Sequence, residues 1–411
     1  MSTSLKPAFS WCCIASINDK NDRVKVSRIA NFKENSSSTA FREKDGLQFD
    51  ITISADWMEF VERSENRTND VGGAGAYDTL RCDLVMETTP ANRWRLWGTD
   101  FHLERLRRSY ESLMHHHKHG GNSNAGSTDI ATQLALDKSR LVFQALLSEA
   151  VVLDDIQSTP SVTPPHDIMV QLVRLTWLWS PSHVEGDDTI LVRAHACCNA
   201  IPMRIHSPVE PISVTVAAEA HDNGKVHVAV DKSLPSRYTD PQNKVASWTR
   251  LRKKMEEPKK YKPPGISEVL LVRPSMSNPT EMEVLEGLSS NFFVVYKDGT
   301  LRTAQDGVLN GYVRQLVLKS AKKFGIKNDS NPILMEDAKK GFWKEAFITS
   351  SSRLIFPVSR VMLHSDDKTK LEEYWTDPML TERVHYVGKK LESSTWQKLL
   401  DEILRLGGYP T

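Results

Sequence analysis

The sequence has few features of a disulfide framework, a zinc site or a membrane span. Its five cysteines form two adjacent pairs and one single residue, and none has the CxxC spacing of a zinc site. This pattern favours free thiols in a reducing compartment. No run approaches the ~18 uninterrupted apolar residues that a membrane-spanning helix requires.

An excess of charge of one sign is also missing. Lysine and arginine total 53 residues, and aspartate and glutamate total 52. A dedicated binder of nucleic acid or of membrane surfaces would show a basic excess, so neither partner is expected. The apolar run Trp11–Ile17 is too short for a good signal peptide. Cytoplasm is therefore the expected compartment, with an organelle transit peptide as the alternative.

The length of 411 residues is enough for more than one domain, and the pattern predicts an α+β fold. Residues 1–47 are polar and are interpreted as an N-terminal extension. Residues 48–160 are predicted to form a small α/β domain, which the strands of residues 161–235 complete. Residues 236–411 are predicted to be the C-terminal domain, which holds the candidate site.

Hydrophobic spacing predicts the helix that begins at Thr99 or Asp100. Its apolar residues are spaced three, four and three apart, which is typical of one buried helix face. Short apolar or alternating runs predict strands elsewhere, including Tyr77–Met86, Ile212–Ala217 and Asn291–Tyr296. The apolar residues of the predicted helix are Leu103, Leu106, Tyr110 and Leu113.

A second predicted helix begins just after Gly311, in the sequence GYVRQL. The backbone amides of Gly311, Tyr312 and Val313 would lack helical partners there, and the helix dipole places positive charge at the same end. Such a helix start suits a phosphate. A glycine at a helix start is more often a simple turn, so the neighbouring motifs decide between the two interpretations.

The neighbouring motifs resemble those of the class IV aminotransferases. This family includes branched-chain aminotransferases, D-amino-acid aminotransferases and aminodeoxychorismate lyases. The matching pattern is a glutamate at 286, Asn-hydrophobic-Phe at 291–293, a hairpin, and a Gly-to-Arg helix start at 311–314. Three further motifs follow the family's order: GAYDTLR at 75–81, FHLERLRRS at 101–109 and WKEAFITSSSRLIFPV at 343–358.

The resemblance implies an α+β enzyme of fold-type IV that uses pyridoxal 5'-phosphate (PLP). Such an enzyme has a smaller N-terminal α/β domain and a larger C-terminal domain with a barrel-like β-core, with the cofactor in between. The implied reaction is transamination of an amino acid to a 2-oxo acid through a lysine internal aldimine, and a homodimer is implied. The alternatives are a PLP lyase of the aminodeoxychorismate type and a non-catalytic relative that acts as a binding or scaffold protein.

The resemblance also assigns residues to the cofactor. Glu286 matches the glutamate beside the pyridine nitrogen, where an ionised carboxylate keeps that nitrogen protonated and makes the ring an electron sink. Arg105 matches the arginine that binds the phosphate with its fork of N–H groups. Further phosphate donors are expected at Gly311, Tyr312, Val313, Ser350 and Ser351.

The Schiff-base lysine is placed by its offset from Glu286. With allowance for a longer loop before the glutamate, the family's offset points to Lys244, which follows Pro241 as the family pattern favours. This lysine would hold the cofactor and move protons at the substrate α-carbon. Rival lysines lie in a charge run typical of a solvated face: Lys253, Lys254, Lys259, Lys260 and Lys262.

The substrate pocket is less defined. Tyr77 and Arg81 match family positions at the pocket, and Arg81 would suit a substrate carboxylate. Arg81 has the alternative of pairing with Asp83 or Asp78 in a structural role. Thr249 stands where branched-chain aminotransferases carry a tyrosine after the lysine, which weakens the case for a branched-chain substrate.

Overall fold

The computed structural model describes residues 9–17, 24–30, 75–85, 94–117, 125–157, 168–181, 190–199, 203–205, 212–217, 219–221, 225–227, 241–246, 248–249, 252, 255–256, 266–364, 371–377 and 394–409. The chain divides into two compact units. Unit 1 is Met1–Ser207 with Asn243–Arg250, and unit 2 is Pro208–Gln242 with Leu251–Thr411. No helix in the described ranges is long and apolar enough to cross a membrane.

The described residues of unit 1 form one antiparallel sheet of seven strands and two helices. The strand order is β2-β1-β6-β5-β3-β4, and β7 pairs with β5. The elements are β1 (Phe9–Ile17), β2 (Val24–Ala30), β3 (Ala76–Val85), β4 (Trp94–Leu96), α1 (Thr99–His117), α2 (Ala125–Gln157), β5 (Met169–Pro181), β6 (Ile190–Asn199) and β7 (Met203–Arg204).

The first two strands change the interpretation of the N-terminus. β1 and β2 lie within residues 1–47, which the pattern predicts as a polar extension. β1 pairs along its length with β6, so this segment adds two strands to the sheet. The partner strand lies far along the chain, and local periodicity does not reveal such a pairing.

Helix α1 covers one face of this sheet with the residues that the spacing predicts. Its four apolar residues, Leu103, Leu106, Tyr110 and Leu113, are all buried in the same cluster as the inner residues of β3 and β5. The ring of Tyr110 meets that of Trp179 edge-on, with centroids 5.9 Å apart. Burial of these large side chains fixes α1, and with it Arg105, against β3.

In unit 2, the part of the chain that the structure describes forms the second sheet, of ten strands, a separate antiparallel pair of strands, and three helices. The strands of unit 2 are β8 (Ile212–Ala217), β9 (Glu219–His221), β10 (Lys225–His227), β11 (Glu268–Pro274), β12 (Met282–Gly287), β13 (Asn291–Tyr296), β14 (Leu301–Arg302), β15 (Asn328–Asp329), β16 (Ile333–Leu334), β17 (Trp343–Ser350), β18 (Leu354–His364) and β19 (Leu371–Thr376). The helices are α3 (Tyr312–Lys323), α4 (Met335–Lys339) and α5 (Thr395–Leu406).

Six of these strands form a closed ring. The pairings run β13-β17-β18-β8-β11-β12 and return from β12 to β13. The closing contact is the register pair Glu286 and Asn291. The α+β class and the barrel-like core are therefore confirmed. Closure also brings the end of β12, the start of β13 and the end of β17 to the same edge of the barrel.

Candidate active site

In unit 1, Asp78 on β3 binds two residues of α1. Arg105 donates from Nε and Nη2 to the two Asp78 oxygens at 2.7 and 2.6 Å. His102, one helical turn before Arg105, places Nδ1 3.1 Å from Asp78 Oδ1. The i,i+3 spacing on α1 puts both side chains on the face that meets β3. The guanidinium of Arg105 is thereby held in one orientation.

Burial governs the charges of this network. Asp78 and His102 are fully buried, and Arg105 is nearly so. Burial alone would raise the pKa of Asp78, but the positive charge of Arg105 and the hydrogen bonds hold it well below its ordinary range. Burial lowers the pKa of His102 below its ordinary value. An ionised Asp78 therefore pairs with Arg105, whose predicted phosphate role nothing in this geometry tests.

The segment that carries Lys244 lies along the start of β3. Tyr77 N donates to Lys244 O at 3.0 Å, and Ala246 N donates to Gly75 O at 2.7 Å. Ser109 Oγ on α1 accepts from Lys244 N at 3.0 Å. The Nζ of Lys244 lies 5.2 Å from the centre of the Tyr77 ring. The structure thus brings together two residues that the sequence assigns to lysine chemistry and to the substrate.

Gly75, which pairs with Ala246 of this segment, is itself packed tightly against β5. An added Cβ would lie 2.9 Å from the Leu178 side chain and 3.1 Å from the Trp179 carbonyl oxygen, so only glycine fits without displacement. Thr249 is buried and its hydroxyl donates to Ala246 O at 2.6 Å, closing a local turn after Lys244. The five rival lysines of the sequence analysis lie outside the described residues.

Arg81 takes the structural alternative that its sequence context allows. Its Nε donates to Asp83 Oδ1 at 2.6 Å, and Trp97 Nε1 donates to the other Asp83 oxygen at 2.8 Å. The guanidinium carbon also lies 5.8 Å from the centre of the Trp97 ring. This buried ion pair favours a structural role, and a contact of Arg81 with a substrate carboxylate stays a prediction.

In unit 2, Glu286 lies at the barrel closure. Its Oε2 accepts two hydrogen bonds, from Asn291 Nδ2 and from Leu309 N, each at 3.0 Å. Asn291 Nδ2 also donates to Leu309 O at 2.7 Å. The carboxylate, the first residue of β13 and the loop before α3 are therefore tied together within one network.

Gly311 is the residue before α3, as the sequence predicts. Its backbone is extended, with φ −71° and ψ 147°, and the first turn of the helix carries no acidic residue. An added Cβ would overlap Asn291 Oδ1, so glycine is required by the close approach of this amide. The helix start therefore offers the amides of Tyr312 and Val313 at the positive end of the dipole.

Arg314 adds a buried cation to the same turn. Its side chain donates to Asn310 Oδ1 at 3.3 Å and to Ala304 O at 2.9 Å, and in the described part of the chain its Nε has no partner. Burial lowers the pKa of Arg314, and the charge of Glu286 opposes this. A cation is unfavourable near a helix N-terminus, and the charge of Glu286 offsets part of this cost.

The turn after β17 carries the predicted serines. Thr349 pairs in register with Asn291, which places the following Ser350 and Ser351 at the same barrel edge as Glu286. Ser350 Oγ accepts from Arg353 N at 3.2 Å. The Thr349 hydroxyl is buried and has no partner among the described residues. Glu286, Gly311 and Ser350 are thereby brought together by strand pairing and by the amide of Asn291.

Glu268 is a residue that sequence reasoning missed. It is fully buried at the start of β11, and its Oε2 accepts from the hydroxyls of Ser289 and Ser290. These serines form the turn between Glu286 and Asn291. Gly287 is packed so tightly that an added Cβ would overlap Ser290 Oγ. Glu268 therefore holds the turn that closes the barrel. This role is visible from its hydrogen-bond partners and not from its local sequence.

A comparison with family models now adds to this geometry. Residues 211–361, which include five of the six ring strands and most of the sixth, β18, match the model for amino-transferase class IV. The matched part of the chain is therefore similar to the class IV aminotransferases. This match confirms the resemblance seen in the motifs and supports an enzyme of this class. No curated protein matches the chain.

Two solved structures are also similar to this chain. A branched-chain aminotransferase from the thermophilic archaeon Thermoproteus uzoniensis, solved with norvaline, has 16% identity and a TM-score of 0.46, with 81% of this chain and 85% of that chain covered. A fold IV transaminase from Curtobacterium pusillum has 15% identity and a TM-score of 0.47, with 92% and 100% covered. Since both TM-scores lie below 0.5, neither likeness decides the fold.

The donors at the barrel edge fit a phosphorylated pyridine cofactor. An anion can be received by the amides that open α3, by the hydroxyls after β17 and by the charge of Arg314. A ring nitrogen can be received by the Glu286 carboxylate. The buried Thr349 hydroxyl, which has no partner among the described residues, is a further sign of a polar cradle at this edge.

Proposed function

We propose that this protein is a PLP-dependent aminotransferase that converts an amino acid to a 2-oxo acid. The observation that carries the proposal is the network of Glu286, Asn291 and Leu309 directly before the N-terminus of α3. It combines a fixed carboxylate with a helix start suited to phosphate. The class IV aminotransferase match over residues 211–361 supports the same chemistry.

Glu286 has the role of holding a proton on the pyridine nitrogen. When bound, PLP supplies an electron sink for charge that develops at the substrate α-carbon. An ionised carboxylate beside the nitrogen favours its protonated form. Hydrogen bonds from Asn291 and Leu309 orient this carboxylate in advance, so little reorganisation is needed as negative charge develops.

The phosphate is assigned to amides and hydroxyls at the start of α3 and after β17, and the resemblance adds Arg105. Tyr312 and Val313 would contribute backbone N–H groups, and Ser350 and Ser351 would contribute hydroxyl or amide donors. Arg105 would contribute N–H groups of a guanidinium that Asp78 already orients.

Lys244 is the proposed attachment lysine and the group that moves protons at the substrate α-carbon. Its backbone is fixed on both sides, by Tyr77 N on its carbonyl and by Ser109 Oγ on its amide. The Tyr77 ring lies near its Nζ. We include a homodimer in the proposal, since the resemblance implies one.

The proposal is tested with the purified full-length chain loaded with PLP. We expect visible absorbance that disappears when an amino-acid donor is added and returns with a 2-oxo acid. Absorbance should be lost in Lys244→Ala and kept in Lys297→Ala, which removes an exposed lysine in the turn after β13.

Each outcome separates the alternatives. Borohydride reduction followed by mass spectrometry should place the phosphopyridoxyl group on Lys244, and its recovery on Lys253 or Lys254 would correct the lysine alone. Turnover of aminodeoxychorismate without any amino acceptor would mean a lyase. A chain that binds no PLP would overturn the proposal in favour of a scaffold.

A further inference from the structure

Asn291 stands where three segments of unit 2 meet. It is the first residue of β13 and pairs in register with Glu286 on β12 and with Thr349 on β17. Its side chain reaches the loop before α3 at Leu309. Asn291 is buried, and its partners Glu286 and Leu309 are half-buried.

Both the nitrogen and the oxygen of the Asn291 carboxamide make close contacts. Nδ2 donates to Glu286 Oε2 at 3.0 Å and to Leu309 O at 2.7 Å. Oδ1 packs against Gly311, where no Cβ could be added without overlap. A shorter side chain could not span this gap, and a carboxylate would face two acceptors with no hydrogen to donate.

We propose that Asn291 is a positioning residue that fixes the Glu286 carboxylate relative to the N-terminus of α3. The inference rests on the proposed function, in which Glu286 meets the ring nitrogen and α3 meets the phosphate. The ring nitrogen and the phosphate are held at a nearly constant distance by the cofactor ring. The protein can therefore bind both only when Glu286 and the N-terminus of α3 keep a matching distance. The Asn291 amide links them directly, with Glu286 at its nitrogen and Gly311 at its oxygen.

A merely structural role in closing the barrel would give a different response to pH. In Asn291→Asp two carboxylates would lie within about 3 Å of each other, which disfavours ionisation of both and raises the pKa of the pair. At high pH they repel and Glu286 is displaced. At low pH the pair holds a proton that can donate in place of Nδ2, so the defect should shrink as the pH falls.

The experiment measures the affinity of the cofactor-stripped, full-length chain for pyridoxamine 5'-phosphate. This ligand has the ring nitrogen and phosphate of PLP but does not bond to a lysine, so the result is independent of the lysine assignment. Because the ligand itself titrates, each variant is compared with wild type at the same pH. We expect Asn291→Asp to bind at least about tenfold more weakly at pH 8, and the gap to narrow to about threefold near pH 5.5.

Asn331→Asp is the matched control. Asn331 also donates from Nδ2 to a carboxylate, that of Asp329 at 3.1 Å, but at an exposed turn after β15. The same substitution there should leave the affinity at wild-type values at both pH values. The inference alone is overturned if the ratio of wild-type to Asn291→Asp affinity is the same at every pH. It is also overturned if Asn291→Asp binds pyridoxamine phosphate as tightly as wild type. If the wild-type chain binds no pyridoxamine phosphate, the proposed function is wrong and the inference falls with it.

A second pair of variants serves if Asn291→Asp does not fold. Asn291→Ser is neutral, loses both donors and removes the oxygen that packs against Gly311. In the wild-type background, Gly311→Ala should weaken binding strongly, because the added methyl group displaces the side-chain amide of Asn291. In the Asn291→Ser background that amide is absent, so the same substitution should weaken binding less. Additive losses would show that the two residues act independently and would overturn the inference.

Discussion

Among single side chains, Arg105 has an observed role, pairing with Asp78, and a proposed role, binding the phosphate, which one substitution must separate. Because Asp78 is fully buried, Arg105→Ala would leave an unpaired carboxylate and destabilise the fold by about 3–5 kcal/mol. Arg105→Lys keeps the positive charge and removes the fork. We expect it to weaken PLP binding by about one to two decades, the value of a charge-assisted hydrogen bond, with a smaller effect on turnover at saturating PLP.

Fluorescence titration with PLP measures the affinity of Arg105→Lys, and thermal unfolding checks that the fold is intact. The control is Arg107→Lys on the same helix, since Arg107 pairs with Glu104 and Glu111 on the half-exposed face of α1. The control should bind PLP as wild type does. Equal affinity in both variants would remove Arg105 from the site.

Glu286→Gln tests the carboxylate that the electron sink requires. The amide oxygen of glutamine can still accept from Asn291 and Leu309, so the fold and PLP binding should persist. Loss of the charge should lower the rate of the amino-donor half-reaction by at least about two decades, or ~2.7 kcal/mol. Stopped-flow absorbance measures this rate. The control is Glu283→Gln on the same strand, which affects the ion pair with Arg273 and should react at the wild-type rate. A wild-type rate in Glu286→Gln would mean that Glu286 has only a structural role.

Among the helices, α5 begins with a cap that comes from a distant strand. Ser394 precedes the helix but makes no cap, and its hydroxyl has no partner within the described ranges. Glu345 on β17 replaces it by accepting from Thr395 N at 2.8 Å and from Trp396 N at 3.2 Å. A carboxylate at this position also complements the helix dipole.

Glu345→Ala should therefore lower the free energy of unfolding by about 1–2 kcal/mol, the usual range for a lost helix cap. Chemical denaturation measures this change. Glu373→Ala on β19 is the control, because its ion pair with Arg360 is long and solvent-exposed and should contribute about 0.5 kcal/mol or less. Equal stability of the two variants would show that the buried carboxylate does not stabilise α5.

For the chain as a whole, acid stability depends on carboxylates that the fold holds ionised. Hydrogen bonds from Arg405 and then from Lys323 lower the pKa of Glu402 to about 2, below the 4.5 of an ordinary glutamate. A depressed pKa contributes stability above about pH 4.5, and this contribution is lost as the pH falls toward 2. Both partners are about half exposed, so solvent screening limits the effect to about 1 kcal/mol.

Glu402→Gln should be less stable than wild type at pH 7, and the difference should shrink as the pH falls to about 3. Denaturant unfolding at both pH values measures it. Asp401→Gln removes the neighbouring carboxylate, whose hydrogen bond comes from uncharged Gln397, and should show a smaller pH-dependent difference. A constant difference between wild type and Glu402→Gln would contradict the role of Glu402 ionisation.

Much of the fold could be predicted from periodicity. The strands Ile212–Ala217 and Asn291–Tyr296 have the predicted bounds, and the four apolar residues of α1 are buried as their spacing requires. The strands of the N-terminal segment could not be predicted, because β1 is specified by its partner β6. In the candidate site, local sequence patterns point to Glu286 and Gly311, and both residues contact the Asn291 side chain. The roles of Glu268 and Asn291 follow only from their contacts in the fold.

The sequence by itself determined the chemistry that is available: a glutamate before Asn-Phe-Phe, a glycine before a helix, and an arginine three residues after a histidine. These are local patterns, and backbone geometry converts them directly into helix faces and strand ends. Only the tertiary structure decided which groups meet. Asp78 and Arg105 are 27 positions apart, and Glu286 meets Leu309 because β12 pairs with β13 to close the barrel. Such contacts follow from strand register and burial, which no local pattern specifies.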